Sequence, residues 1–144
     1  MSEMPQIIVK LGRWDELKDL ASPIRLLVFV HEQKVPLEEE LDVADADCVH
    51  AVAFDAQGLA IGTGRLLPDG HIGRMSVLMT HRGQGVGGQI LLALMRHAQK
   101  TGFREVALSA QTHALGFYQL HGFIEEGEEY LDANIPHILM RKKL

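Results

Sequence analysis

The chain has 144 residues, of which 47% are hydrophobic and 23% are charged. These ordinary values exclude a disordered, coiled-coil or collagen-like chain, and the length predicts one domain spanning residues 1–144. The formal net charge of -5 provides no general positive field, so neither nucleic acid nor a membrane is an expected partner. Cys48 is the single cysteine, which excludes an internal disulfide and a cysteine-based zinc site.

The sequence carries no recognisable targeting or membrane-spanning segment. The first residues lack both the basic start and the apolar stretch of a signal peptide, and no apolar run reaches membrane-spanning length. We therefore expect a cytoplasmic protein.

The N-terminal third is predicted to contain one strand, two helices and an acidic loop. Ser22 and Pro23 favour the start of the second helix, because Ser is a good N-cap and Pro at the first helical position loses no needed N–H. The acidic segment has six carboxylates and no cation, which is typical of a solvated loop. The strand is expected over 6–11, the helices over 14–20 and 22–33, and the loop over 38–47.

The remainder alternates short strands with helices. Gly62 and Gly64 lie inside one strand and predict a close backbone approach or a bulge. The expected strands are 49–54, 60–67, 71–78, 105–109, 123–130 and 135–142, with a long helix ending before Gly102 and a short helix between Thr112 and Gly122. The order is βααβββαβαββ. It predicts an α/β fold with one mixed, mostly antiparallel sheet flanked by helices.

A glycine cluster over 82–88 precedes the long helix and is the most informative segment. Closely spaced glycines let the backbone turn several N–H groups in one direction, and the helix adds the positive end of its dipole. Such an arrangement predicts a phosphate-binding loop. A phosphate-loop NTPase is excluded, because Gln89 and Ile90 stand where Lys and Ser or Thr are needed after the last glycine.

A dinucleotide-binding oxidoreductase stays an alternative on spacing alone. Gly83, Gly85 and Gly88 match the G-x-G-x-x-G pattern. The next acidic candidate, Glu105, begins its predicted strand, whereas a carboxylate that binds ribose follows the end of a strand. The match is therefore weak.

The cluster also resembles the pyrophosphate loop of coenzyme A enzymes. Arg82 with Gln84-Gly85-Val86-Gly87 is similar to the Arg/Gln-x-x-Gly-x-Gly signature of the GCN5-related N-acetyltransferase (GNAT) superfamily. The order of elements around the loop agrees over nearly the whole chain, including Phe117-Tyr118 on the short helix and the Gly122-Phe123 pair that ends it. Segments 122–128 and 136–140 resemble the C-terminal part of glyphosate N-acetyltransferase and its uncharacterised bacterial relatives.

The resemblance implies acetyl-CoA as co-substrate and a GNAT fold. In that family the strand before the loop separates from the next strand and pairs with the pantetheine amides, and the N–H of Val77 would face the thioester oxygen. The implied cofactor-binding residues are Met75, Ser76, Val77, Arg82, Gly83, Gln84, Gly85, Val86, Gly87, Gly88, Gln111, Phe117 and Tyr118.

The resemblance also assigns the catalytic groups. His137 is the implied general base, since a neutral imidazole can accept a proton from an amine, and Tyr118 is the implied general acid for the leaving thiolate. Arg25 and Arg74 are candidates for binding an acidic acceptor. Gln111 stands where the glyphosate enzyme carries a further arginine, which puts recognition of a phosphonate in doubt.

The sequence therefore predicts an N-acetyltransferase that acts on a primary or secondary amine of a small molecule within a ternary complex. Small amines, amino acids, aminoglycosides, polyamines and protein N-termini stay open as acceptors, and a homodimer is expected. None of the eight histidines forms an H-E-x-x-H motif, and no metal is expected. A non-catalytic acyl-CoA-binding or sensing module on the same fold is the alternative.

Overall fold

A computed structural model describes residues 6–144 of the chain. Its centre is a seven-stranded sheet in the order β1-β2-β3-β4-β5-β7-β6. Neighbouring strands are antiparallel except β4 and β5, which are parallel, so the predicted mixed, mostly antiparallel sheet is confirmed. The strands are β1 (Ile8–Gly12), β2 (Val49–Phe54), β3 (Ala60–Leu66), β4 (His71–Val77), β5 (Glu105–Gln111), β6 (Ile124–Asp132) and β7 (Ile135–Lys143).

Four α-helices accompany the sheet within the described part of the chain. They are α1 (Trp14–Arg25), α2 (Leu37–Glu40), α3 (Val86–Lys100) and α4 (Leu115–Leu120). A π-helical segment, Leu26–Glu32, follows α1 directly, and short 3₁₀ segments cover Val43–Asp47, Met79–His81 and Thr112–Ala114. None of the helices over residues 6–144 has the length and apolar composition that crossing a membrane requires.

The predicted helix boundary at Ser22 and Pro23 is wrong, because α1 continues through both residues. The N–H of Leu26 donates to the carbonyls of Ser22 and Pro23, so hydrogen bonding resumes within one turn of the proline ring. An interior proline costs about 3 kcal/mol, whereas each fully buried aliphatic side chain contributes about 1.5–3 kcal/mol. One buried stripe crosses the proline without interruption and outweighs its cost: Leu17, Ala21, Ile24 and Val28.

Helix α3 packs closely on the meander formed by β2, β3 and β4. A Cβ atom added to Gly62 would lie 2.9 Å from Ile90 Cδ1, and one added to Gly64 would lie 2.9 Å from Ile90 Cγ2 and 2.6 Å from Met75 Sδ. The register between β3 and β4 also shifts between Thr63 and Arg65. The predicted close approach and the predicted bulge are therefore both present at this pair of glycines.

Strands β4 and β5 separate soon after they begin. They pair only at His71 with Ala107 and at Ile72 with Leu108. Beyond these two pairs β4 continues beside β3, while β5 continues beside β7. A wedge-shaped cleft consequently opens through the middle of the sheet.

Replacing Gly64 by Ala tests the close packing of α3. Ile90 Cγ2 is attached at the β-carbon of a helical residue and cannot swing away, so Gly64→Ala is expected to destabilise the protein by about 1–3 kcal/mol. Gly116→Ala in α4 is the control, because its added Cβ meets nothing within 4 Å and alanine favours a helix. Denaturant unfolding measures both, and equal stability of the two variants would contradict the packing.

Candidate active site

The opening between β4 and β5 forms a cleft of about 750 Å³. Its walls come from the π-helical segment, the two strands, the glycine loop, α4 and β7. Most of the predicted site residues line it together, namely Arg74, Met75, Ser76, Val77, Arg82, Gly87, Gln111, Phe117, Tyr118 and His137. The separation of the two strands thus gives one cavity to residues that lie as far apart in the sequence as Arg74 and His137.

The glycine loop leads into α3 at one side of the cleft. Gly83 and Gly85 have φ values of 78° and 80°, a left-handed conformation that favours glycine. Gly85 is the N-cap of α3, and its carbonyl accepts the first helical hydrogen bond from the N–H of Gln89. The N–H groups that precede Gln89 in the helix have no intrahelical acceptor, which is the arrangement that binds phosphate.

Arg82 is held by the protein itself at the start of this loop. Its Nε donates to the carbonyl of Val77 at 3.0 Å, and its two terminal nitrogens donate to both carboxylate oxygens of Glu32 at 2.7 Å. The hydrogen bond from Arg82 holds the pKa of Glu32 below its usual value. Sequence reasoning missed Glu32, whose contact with Arg82 connects the π-helical segment to the loop. A phosphate that bound Arg82 would compete with this carboxylate.

His137 lines the cleft, and one of its ring nitrogens is held by a backbone carbonyl. Its Nδ1 lies 2.6 Å from the carbonyl oxygen of Ile135. A carbonyl only accepts, so Nδ1 carries the proton and the neutral ring keeps a lone pair on Nε2. The residue is 8% exposed and pairs across the sheet with Gln111 of β5. These features suit a group that accepts a proton.

Tyr118 lies in an aromatic cluster where α4 lines the cleft. Its ring makes edge contacts with Phe117 and Phe123 at centroid distances of 5.0 and 6.0 Å. Burial raises the pKa of Tyr118 to about 12, because the phenolate is poorly solvated there. The hydroxyl therefore stays protonated at neutral pH and is able to donate.

The predicted substrate role of Arg25 is wrong. Arg25 is 2% exposed and does not line the cleft. Its guanidinium donates from Nε to Glu40 and from both terminal nitrogens to Asp45, at 2.9 and 3.0 Å. These buried carboxylates occupy the donors that an acidic acceptor would need.

The expectation of a solvated acidic loop is also wrong in part. Glu40 and Asp45 are only 5% and 3% exposed. Asp45 accepts a further hydrogen bond from Arg65 of β3 at 2.8 Å, and Asp42 accepts one from Arg65 at 2.7 Å. Cations from α1 and β3, distant in sequence, thus allow this segment to fold inward.

Arg74 lies between this buried ionic network and the cleft. Its φ of 50° is left-handed, and its Nη2 donates to the carbonyls of Glu39 and Glu40. Its Nε is buried without a hydrogen-bond partner. Burial, and then repulsion from Arg65 and Arg25, lower the pKa of Arg74. Asp42 lies near it, with Oδ2 3.8 Å from Nη2, so the protein compensates the guanidinium in part.

A smaller cavity of about 80 Å³ adjoins the cleft beside Arg74. The residues that line both spaces are Phe29, Gln33, Arg74, Gln111, Asp132 and His137. Gln33 and Gln111 donate to each other's carbonyls at 3.4 and 3.0 Å, which joins the π-helical segment to the end of β5. Sequence reasoning missed Gln33 and Asp132, because nothing in their local sequence marks them as neighbours of His137.

No group of His, Cys, Asp and Glu side chains within residues 6–144 has the arrangement needed to hold a metal ion. Cys48 is buried, and its thiol lies 3.2 Å from the carbonyl of Ala44. Burial raises the pKa of this thiol, which disfavours the nucleophilic thiolate.

Asp45→Asn tests whether the buried ionic network stabilises the fold. Burial alone raises the pKa of Asp45, but hydrogen bonds from Arg25 and Arg65 outweigh this effect and lower it. The contribution of ionised Asp45 to the free energy of unfolding is therefore fully present above the pKa of about 3.9 that the carboxyl has in the unfolded chain. It is lost as the pH falls through the lower pKa that the carboxyl has in the folded protein. At neutral pH, Asp45→Asn is expected to cost about 3–5 kcal/mol, because it leaves two buried cations under-compensated.

Unfolding measured from pH 7 down to pH 2 provides the test, with Asp47→Asn as the matched control on the exposed side of the same segment. The difference between Asp45→Asn and the wild type should shrink towards acid. A constant difference at every pH would contradict the assignment.

Comparisons with known proteins agree with this geometry. A family model described as acetyltransferase (GNAT) domain matches residues 22–144. The Bacillus subtilis protein YjcF, described as an uncharacterized N-acetyltransferase, is 42% identical over 132 residues, which cover 89% of this chain and 93% of that protein.

The chain is also similar in fold and in sequence to solved structures. An acyl-CoA N-acyltransferase from Pseudomonas aeruginosa is 33% identical with a TM-score of 0.82, and 95% of this chain and 99% of that chain align. Escherichia coli ElaA is 29% identical with a TM-score of 0.84 at the same coverages, 95% and 99%. The similarity to glyphosate N-acetyltransferase stays a prediction. The family match over most of the chain shows that this protein belongs to the GNAT acetyltransferase family.

Proposed function

We propose that the protein transfers the acetyl group of acetyl-CoA to a primary or secondary amine of a small molecule, by direct attack within a ternary complex. Membership of an acetyltransferase family supports acyl transfer in general. The observation that carries the more specific proposal is the cleft between β4 and β5, which has the glycine loop at its side and His137 and Tyr118 on its walls.

The loop and the free edge of β4 would hold the co-substrate. The N–H groups over 82–88 and the dipole of α3 suit a pyrophosphate. Over 73–77, β4 pairs with β3 on one side and with no strand on the side of the cleft, so its edge suits pairing with the pantetheine amides. Met75, Ser76 and Val77 provide that edge, and Phe117 packs against Gly87 beside it.

Three protein groups divide the proposed chemistry. Acetyl-CoA supplies the activated thioester. His137 Nε2 accepts the proton of the attacking amine, and the N–H of Val77 donates to the carbonyl oxygen as negative charge develops, an interaction worth about 3 kcal/mol. As the carbon–nitrogen bond forms and the carbon–sulfur bond breaks, Tyr118 donates its hydroxyl proton to the leaving sulfur, which gives the thiol of coenzyme A. The tyrosinate then regains a proton from water and the imidazolium of His137 releases one, so both groups are restored. Direct attack needs no protein nucleophile, and the buried thiol of Cys48 supports that assignment.

Arg74 is proposed to bind an acidic group of the acceptor. Its partly compensated guanidinium borders the small cavity next to His137, so an anion bound there would place a neighbouring amine close to the base. The cytoplasmic location and the homodimer stay predictions.

Ligand-induced stabilisation tests the co-substrate. Acetyl-CoA and CoA at a hundred times their dissociation constants should each add about 2.7 kcal/mol to the free energy of unfolding, raising Tm by several degrees, while NAD and ATP should not. Gly85→Val should abolish the shift. Gly58→Val is the matched control, since both glycines have φ 80° and open space around a new Cβ, but Gly58 lies in the β2–β3 turn. Stabilisation by NAD without CoA would overturn the proposal.

His137→Ala tests the general base. Loss of the proton acceptor is expected to lower kcat about 10²–10⁴-fold, while stabilisation by acetyl-CoA stays intact. The assay follows release of the free thiol of CoA with an amine found by screening small amines and amino acids. His97→Ala on α3 is the control and should retain the wild-type rate. Turnover unchanged in His137→Ala would refute the assignment, and CoA binding without transfer to any amine would favour the non-catalytic acyl-CoA module.

A further inference from the structure

We propose that Tyr130 is a positioning residue that fixes the imidazole of His137, and that Ser109 anchors it in turn. The inference concerns the same site and rests on the proposed function of His137 as the base. Tyr130 is not among the residues that line either cavity, so it acts through His137 and not on the substrate.

The two aromatic rings are direct neighbours across the sheet. Tyr130 of β6 pairs with His137 of β7 in the strand register. Their ring centroids are 6.1 Å apart with an interplanar angle of 25°, which is an offset stack within the range of favourable aromatic pairs. Tyr130 is 41% exposed, whereas the histidine behind it is only 8% exposed. The tyrosine therefore covers one face of the imidazole and shields it from solvent.

An irregularity in β6 determines that Tyr130 is the residue opposite His137. Glu126 pairs with Leu139, and Tyr130 pairs with His137, so four steps along β6 correspond to two steps along β7. Regular antiparallel pairing from Glu126 would instead place Glu128 opposite the histidine. Gly127, with φ 84°, provides the left-handed conformation at this bulge. The bulge thus replaces a carboxylate with an aromatic ring beside the proposed base.

The far end of the tyrosine is also held. Its hydroxyl is hydrogen-bonded to the hydroxyl of Ser109 on β5. Since β7 lies between β5 and β6, the side chain of Tyr130 crosses the face of β7 to reach that serine. A tyrosine on an edge strand with one free end would turn about its side-chain bonds, and the serine removes this freedom.

Two contacts together determine the orientation of His137. The carbonyl of Ile135 fixes the proton on Nδ1, and the ring of Tyr130 fixes the plane of the imidazole. The ring is consequently held in one orientation on the wall of the cleft, in the tautomer whose Nε2 accepts a proton. A displacement of about 1 Å in such a group can cost about a hundredfold in rate, so the stack has a measurable kinetic effect.

Three variants test the roles of the ring and the hydroxyl separately. Tyr130→Leu removes the stack and is expected to lower kcat about 10–100-fold without changing the KM for acetyl-CoA. Tyr130→Phe retains the stack and should recover most of that loss, and Ser109→Ala should match Tyr130→Phe. Leu131→Ala, at the adjacent exposed position of β6, is the control for integrity of the hairpin and should behave as the wild type.

A spectroscopic measurement makes the test independent of turnover. With ¹⁵N-labelled histidine, the free wild-type protein should show His137 predominantly as the Nδ1–H tautomer. In Tyr130→Leu the ring is free to rotate out of its hydrogen bond with the Ile135 carbonyl, so a mixture of tautomers is expected. Tyr130→Leu with the wild-type tautomer and the wild-type kcat would overturn the proposal. If His137→Ala is fully active, the base assignment fails, while the tautomer result still decides whether Tyr130 orients the ring.

A double variant separates positioning from general stability. If Tyr130 acts through His137, adding Tyr130→Leu to His137→Ala should cause no further loss of kcat. If Tyr130→Leu lowered kcat by the same factor in the His137→Ala background as in the wild-type background, the two residues would act independently and the proposal would be refuted.

Discussion

The site depends on one constraint in the sheet: β4 and β5 are joined by only two residue pairs before they separate. Each of these two strands stays paired with its other neighbour, β4 with β3 and β5 with β7, while the edges that face each other lose their strand partners and a cleft opens between them. The loop that precedes α3 follows β4, and His137 lies on β7 beside β5. Separation of the two strands therefore places the proposed phosphate-binding and proton-accepting groups on opposite sides of one cavity.

The two walls are stabilised by different forces. On the side of the meander, Gly62 and Gly64 allow α3 to lie directly on β3, so the helix that begins with the glycine loop is fixed by close apolar packing. On the side of the smaller cavity, buried ion pairs join α1, the acidic segment and β3. Breaking such a pair costs several kcal/mol, since it leaves a buried charge without a partner. Arg74 lies next to these ion pairs, and its buried Nε has no hydrogen-bond partner in the protein.

The proposed catalytic groups obtain their properties from neighbours on other strands. Ile135 determines the tautomer of His137, while burial among Phe117 and Phe123 keeps Tyr118 protonated. The bulge at Gly127 decides which residue of β6 faces the histidine. The base therefore has a lone pair that is free to accept a proton, and the acid has a raised pKa that keeps its proton in place until it is donated. Proton transfer in opposite directions requires one group in each of these states.

From the sequence alone it was possible to predict the succession of strands along the chain, the start of α3 at the glycine loop and about half of the residues that line the cleft. These features depend on local signals, namely apolar periodicity, left-handed glycines and a short motif. Other features became visible only in the folded chain: α1 continues through Pro23, and Arg25 is paired with Glu40 and Asp45. Glu32 and Gln33 likewise lie at the site, with Tyr130 beside it. Ion pairing and strand register join residues that lie far apart in the chain. The sequence around a charged or aromatic residue does not indicate which distant residue neutralises the charge or stacks on the ring.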